Sequence, residues 1–187
     1  TLLQHHCMWE TITILLLWLT PPIAPSLNDI FFHVVSPARL SYSYQITQST
    51  AIGVPFPSRT SKNIQLVYAY PNHACQPLKN LAIFGKVVLI ERGECTFLEK
   101  VLHAEAAGAK YVIITNSAKN DHEGVDMVSD EPGKTAGISV AYLIGASGKK
   151  LRDQILYGEE DVYINIPLNY SMVQITDIPS KPPWEFW

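Results

Sequence analysis

The stretch VVLIERGECTFLEKVLHAEAAGAKYVIITN, residues 87–116, decides how this chain is read. It opens on an unbroken apolar run, Val87 to Ile90, which stops at Glu91-Arg92-Gly93. A helical pattern over Thr96 to Ala107 follows, then Gly108, then a second apolar run from Tyr111 to Ile114. Short apolar runs bounded by turn signals fit strands that are covered on both faces. Two of them around about three helical turns make a βαβ unit, whose crossover is right-handed in nearly all proteins. Thr96 and Glu99 have capping-box spacing, so the Thr96 hydroxyl is expected to accept the Glu99 N–H at the helix start. Phe97, Val101, Ala104 and Gly108 recur at helical intervals and predict the face that packs on the sheet. Gly108 is the expected left-handed terminator.

Outward from this unit, the pattern predicts more strands. Phe31 to Val35 is a short apolar segment closed by Ser36-Pro37. Leu40, Tyr42, Tyr44 and Ile46 alternate with polar residues, as a half-buried strand does. Residues 48–63 hold Gly53, Pro55 and Pro57 and read as a loop, after which Ile64 to Tyr70 forms a strand stopped by Pro71. Ile138 to Ile144 is a further buried strand. Ser147 is positioned to cap a helix with Leu151, Ile155 and Leu156 inside and Gly158 at its end. Val162, Ile164, Ile166 and Leu168 then alternate, with Pro167 marking an edge strand or a strand end. A second strand–helix–strand unit thus follows the first. The fold class expected is α/β, a mixed β-sheet core with flanking helices built on βαβ units.

The chain has 187 residues, 47% hydrophobic and 17% charged, with net charge −3. That is enough apolar material for one domain with a core. No Lys/Arg cluster provides the electrostatic footprint of a nucleic-acid binder. The run Ile12 to Leu19 (ITILLLWL) is too short for a membrane span, which needs about twenty residues. It has the length of a signal-peptide core and is followed by small and turn residues up to Ser26. Glu10 precedes it where a basic residue is usual, and a buried N-terminal strand is the other reading. Residues 1–26 are therefore expected to be a signal region. Cys75 and Cys95 then remain as an even pair, which in an exported chain reads as a disulfide; without export, two free thiols are the alternative. Asn169-Tyr170-Ser171 is an N-x-S sequon and a glycosylation candidate in an exported protein. Residues 179–187 end in Trp184-Glu185-Phe186-Trp187, expected to fold back on the domain, with an exposed aromatic anchor as the competing reading.

Catalytic constellations are sparse. His122-Glu123-Gly124-Val125-Asp126 approaches HExxH, but Asp126 replaces the second His and Gly124 interrupts the helix that such a site needs. It supports a metal-dependent hydrolase only weakly. Asp121, Glu123 and Asp126 lack the ligand spacing of an EF-hand. Gly145 to Lys150 departs from a phosphate loop at its first glycine and its last position. GxSxG and GxGxxG are absent. No catalytic residue, metal or cofactor is expected. The polar stretch 117–137, with Asp121, His122, Glu123, Asp126, Asp130 and Glu131, is long for an irregular loop, and such loops are usually functional or mobile.

The pattern Arg92-Gly93-x-Cys95-x-Phe97-x-x-Lys100, then Ala104, Ala107-Gly108-Ala109 and Asn116, resembles the core motif of the protease-associated (PA) domain family. The likeness covers roughly residues 27–187 and implies a single protease-associated domain over 27–178. It also implies a secreted glycoprotein without catalysis that recognises an unidentified protein or peptide. A variant of that reading is a competitor of peptidases carrying the same domain. In other settings the domain accompanies peptidases, sorting receptors and membrane-bound ubiquitin ligases. Many relatives have Ile-Pro where this chain has Ile138-Ser139. Ligands of α/β sheets bind beyond the carboxyl ends of strands, which makes the 117–137 loop and the adjacent strand ends the expected contact face.

Overall fold

A computed structural model describes residues 28–117, 125–168 and 180–184. In chain order the elements are β1 (Asp29–Ser36), a 3-10 turn (Ala38–Leu40), β2 (Ser43–Gln48), β3 (Ser61–Tyr68) and β4 (Val87–Glu91). Then come α1 (Phe97–Ala106), β5 (Tyr111–Thr115), β6 (Ser139–Leu143), α2 (Ala146–Tyr157) and β7 (Val162–Leu168). The strands close into a barrel in the order β1-β2-β6-β5-β4-β3-β7. Neighbours from β3 to β6 are parallel, and every other pairing is antiparallel.

This closed, mixed barrel overturns the expected α/β class. One βαβ unit is real: β4 and β5 pair in parallel from Val87↔Tyr111 to Glu91↔Thr115, with α1 between them in sequence. The second is not. The strand after α2 does not return beside β6; β7 runs antiparallel to both β1 (Val34↔Ile164) and β3 (Ile64↔Ile164) and closes the cylinder. Closure gives every strand two neighbours, so the unpaired edges of an open sheet disappear. Pro167 accordingly lies near the end of an interior-paired strand and not on an edge.

The apolar runs at the centre are explained by two cores. Val87, Leu89, Tyr111, Ile113, Ala141 and Leu143 belong to one buried cluster with residues of β1, β2, β3 and β7. Val88, Ile90, Val112, Ile114, Val140 and Tyr142 belong to the other, with Leu98, Val101 and Ala104 of α1. Alternate side chains of a strand point to opposite faces. Strands β4 to β6 therefore need apolar residues at every position, because one face looks into the barrel and the other meets α1. The remaining strands are mostly covered on one face and keep the alternating pattern.

Helix α1 begins as its capping pattern predicts: the Glu99 N–H donates to Thr96 Oγ1 at 3.2 Å. Its buried face is offset from the expected one. Leu98, Lys100, Val101 and Ala104 are buried, whereas Phe97 is half-buried and meets Tyr142 edge-on at 6.5 Å. Helix α2 departs further. Gly145, at φ +80°, is its N-cap, and Ser147 sits buried inside the first turn. Leu151 is buried, Ile155 half-buried and Leu156 exposed. Contact between α2 and the barrel is close at Gly148, where a Cβ would lie 1.7 Å from Thr115 Oγ1. Thr115 itself donates to the Leu143 carbonyl at 3.0 Å, so it cannot move aside without losing that bond. At the Ile138-Ser139 departure, Ser139 is buried and its hydroxyl donates to Pro55 O at 3.1 Å, tying the start of β6 to the 48–60 loop.

Candidate functional site: the carboxyl ends of the parallel strands

Strands β3, β4, β5 and β6 end together at Tyr68, Glu91, Thr115 and Leu143, and the chain beyond β5 leads into the 117–137 loop. Glu91 is only 6% exposed and lies at the middle of this end. Arg152 of α2 donates to its Oε1 at 2.9 Å, and Asn72 donates from Nδ2 to its Oε2 at 3.1 Å. The Glu91 N–H also bonds the Asn72 carbonyl. Burial pushes the Tyr68 hydroxyl well above its usual range, and its hydrogen bond to the Glu91 carboxylate adds to that. Through these bonds Glu91 ties β4 to α2 and to the Asn72 turn. A buried carboxylate is tolerated when it is paired in this way. Arg92 extends the same cluster, with Nη1 3.4 Å from the Tyr142 hydroxyl. Asn116 is buried one residue beyond the end of β5.

A second constellation adjoins the first. Cys75 and Cys95 form a disulfide across a separation of 20 residues. Lys100 lies under it with 0% of its surface exposed. Its Nζ donates to the His73 and Gly93 carbonyls, each at 2.6 Å, and lies 3.4 Å from Cys95 Sγ and 3.6 Å from Cys75 Sγ. Gly93 (φ +107°) and Glu94 (φ +68°) make the tight turn that aims the Gly93 carbonyl at the ammonium. His103 donates from Nδ1 to Ala74 O at 2.8 Å, so α1 grips the Cys75 segment twice. Burial pulls the Lys100 pKa down to about 8, against the raising influence of the Glu94 and Glu99 carboxylates. The amine keeps two N–H donors after losing its proton, enough for both carbonyls.

The structure thus gathers Arg92, Gly93, Cys95, Phe97 and Lys100 at one corner. Gly108 is elsewhere, at the far end of α1, where φ +82° and a Phe84 ring 2.8 Å from any added Cβ both require glycine. Asp121, His122, Glu123 and Asn169 lie outside the described residues, as do residues 1–26 and 185–187. Asp126, Asp130 and Glu131 are exposed, and Glu131 pairs with Lys134 at 3.0 Å. Their loop is anchored by buried Met127, whose carbonyl accepts from Ser49 Oγ at 2.8 Å, and by the Ala136 N–H to Ile52 O. No cluster of three or more metal-ligating side chains occurs among the described residues. No helix among them is long and apolar enough to cross a membrane.

Sequence reasoning misses the Glu91–Arg152 clamp, because its partners are 61 residues apart. It also misses a surface groove of about 580 Å³ lined by Arg39, Leu40, Lys150, Gln154, Tyr157 and Trp184. Trp184 meets Tyr42 edge-on at 5.2 Å and donates from Nε1 to Ser147 Oγ at 2.9 Å. The Lys150 ammonium lies 4.5 Å from the Trp184 ring centre.

With this geometry in view, comparison with known proteins gives the class. The sequence profile of the PA domain matches residues 62–151. The chain belongs to the PA domain family. Over 165 residues it is 35% identical to a PRADC1-like protein of Drosophila melanogaster, spanning 86% of this chain and 83% of that one. It is 26% identical over 150 residues to the E3 ubiquitin-protein ligase RNF13 of Bos taurus, covering 72% of this chain and 39% of the ligase. Among solved structures, BSAP, a zinc aminopeptidase from Bacillus subtilis, superimposes with a TM-score of 0.50 at 21% identity. That match covers 78% of this chain and 32% of the aminopeptidase, and speaks to the fold.

Proposed function

We propose that this chain is an exported, non-catalytic recognition module that binds a protein or peptide segment. One observation carries the reading. The same domain makes up a minor part of a ubiquitin ligase, and its fold a minor part of a zinc aminopeptidase, two proteins with unrelated chemistries. A part common to different reactions is better suited to presenting or selecting partners than to performing either reaction. The chemistry of the strand ends agrees: Glu91 is neutralised by Arg152, and Lys100 is enclosed beneath a disulfide, so neither is presented to a substrate.

Export is supported by the Cys75–Cys95 disulfide, which persists in oxidising compartments. The leader-like run at 12–19 and the sequon at Asn169 point the same way. The contact face assigned by this reading is the 117–137 loop, in which Asp126 and Asp130 are exposed.

The test has two arms. The full chain expressed in cultured animal cells is expected in the medium, shifted by a glycan that Asn169→Gln removes; retention inside the cell refutes export. The purified protein, supplied with zinc and a panel of peptide and ester substrates, is expected to show no turnover. Turnover abolished by His122→Ala or Glu123→Ala would replace the recognition reading with a metal-dependent hydrolase.

A further inference from the structure

The opposite end of the parallel strands carries a feature that the recognition reading leaves unused. Between β3 and β4 the chain turns sharply at residues 81–86. Leu81 is 95% exposed and Phe84 87% exposed, while Ile83 between them is buried in the core beside α1. Large apolar side chains so fully in water are unusual in pairs. The turn that holds them is well determined. Ala82 takes φ +59° and Gly85 φ +73°, the Lys86 N–H bonds Ile83 O at 3.0 Å, and the Gly85 N–H bonds Gly108 O at 2.9 Å. Phe84 rests over Gly108, where a side chain would collide with its ring. The fold thus fixes Ile83 inward and projects Leu81 and Phe84 outward.

The two chain segments that lead into β4 and β5 at this end carry charge of one sign. Residues 80–90 contain Lys86 and no Asp or Glu, and residues 106–114 contain Lys110 and no Asp or Glu. Lys86 and Lys110 are brought side by side by the bond from Lys110 N–H to Lys86 O at 2.8 Å. Glu105, three residues before Gly108, is engaged with the Gly137 N–H at 2.8 Å. A cationic rim on a chain of net charge −3 is a local concentration of charge opposed to the whole. Two apolar prongs beside a pair of lysines fit a lipid surface: the prongs enter the boundary between headgroups and acyl chains, and the lysines meet anionic headgroups.

We propose that the Leu81–Phe84 turn, with Lys86 and Lys110, docks this protein on an anionic membrane surface. This requires no membrane-spanning segment and is independent of the contact assigned to the 117–137 loop, since it uses none of that loop's residues.

The experiment is co-sedimentation of the full chain with vesicles of phosphatidylcholine alone or with about one third phosphatidylserine. Binding is expected only to the anionic vesicles and should weaken with salt. Leu81→Ser/Phe84→Ser and Lys86→Glu/Lys110→Glu should each lower the partition coefficient about tenfold or more, the loss for removing two lysine contacts and adding repulsion. Circular dichroism checks that both variants remain folded, as expected for exposed positions. In Phe84→Trp, the emission added over that of the parent chain should shift to the blue on anionic vesicles. Equal binding to both vesicle types, wild-type binding by either double variant, or an added emission in Phe84→Trp that does not shift would overturn the proposal. Failure on vesicles together with binding of poly-glutamate that the same variants abolish would also overturn it, assigning the patch to an acidic polypeptide.

Discussion

The motif corner and the 125–131 segment are built in opposite ways. At the corner, the Cys75 turn, the Gly93 turn and α1 are joined by a disulfide, a buried lysine with two carbonyl partners, and the His103 bond to Ala74. In the loop, Asp126, Val128 and Asp130 face water and Met127 is the buried anchor. The residues that identify the family are therefore scaffold. Their side chains are spent on holding backbone in place, and the exposed acids Asp126 and Asp130 belong to no motif. The signature and the proposed contact face are different sets of residues.

That contrast can be broken from the scaffold side first. The largest effect is expected where α2 meets the barrel: Gly148→Ala forces a methyl group into Thr115 and should destabilise by about 3 kcal/mol or more, read as a lowered midpoint in urea. Cys75→Ala/Cys95→Ala should cost about 3 kcal/mol, as loss of a loop closure of this length implies. Lys100→Met keeps the apolar volume but strands the His73 and Gly93 carbonyls, and should cost about 2 kcal/mol. The same substitution at an exposed lysine such as Lys149 should be nearly silent.

A pH experiment sharpens the view of Lys100. Its folded pKa of about 8 lies below its ordinary 10.5. Below pH 8 both folded and unfolded chains hold the proton, and this group adds no slope. Between about 8 and 10.5 the unfolded chain holds more protons, so this residue makes stability rise with pH across that window. Thermal melts at either side of it should show a rise in the parent that Lys100→Met lacks. An identical pH response in both chains would contradict the depressed pKa. The smallest effect belongs to the loop. Asp126→Ala/Asp130→Ala should change stability by no more than about 0.5 kcal/mol while weakening any partner that uses this face.

Much of this is legible in the sequence, for identifiable reasons. Strands β4, β5 and β6 declare themselves because both their faces are covered, which forces apolar residues at successive positions. The Thr96 cap and the Gly108 terminator follow from local backbone chemistry. Closure of the barrel does not. The alternation in β7 says that one face is buried, but pairing with β1 and β3 links Ile164 to residues about a hundred positions or more away, and such partners leave no local mark. The buried face of α1 differs from the expected one because Lys100 is polar, and polarity alone assigns it to solvent. Only its distance from Gly93 and Cys95 in the motif hints that it turns inward. The Arg39–Gln154–Trp184 groove is hidden in the same way, since its walls come from the 3-10 turn, α2 and the tail.

Native-state hydrogen exchange of the full chain compares scaffold and loop directly. The amides of Ala74, Glu91, Arg92 and Lys100, each with a backbone acceptor, are expected to exchange only through global unfolding. Those of Asp126, Val128 and Asp130 should exchange orders of magnitude faster. If the motif corner exchanged as fast as the loop, the division into rigid platform and available contact face would be contradicted.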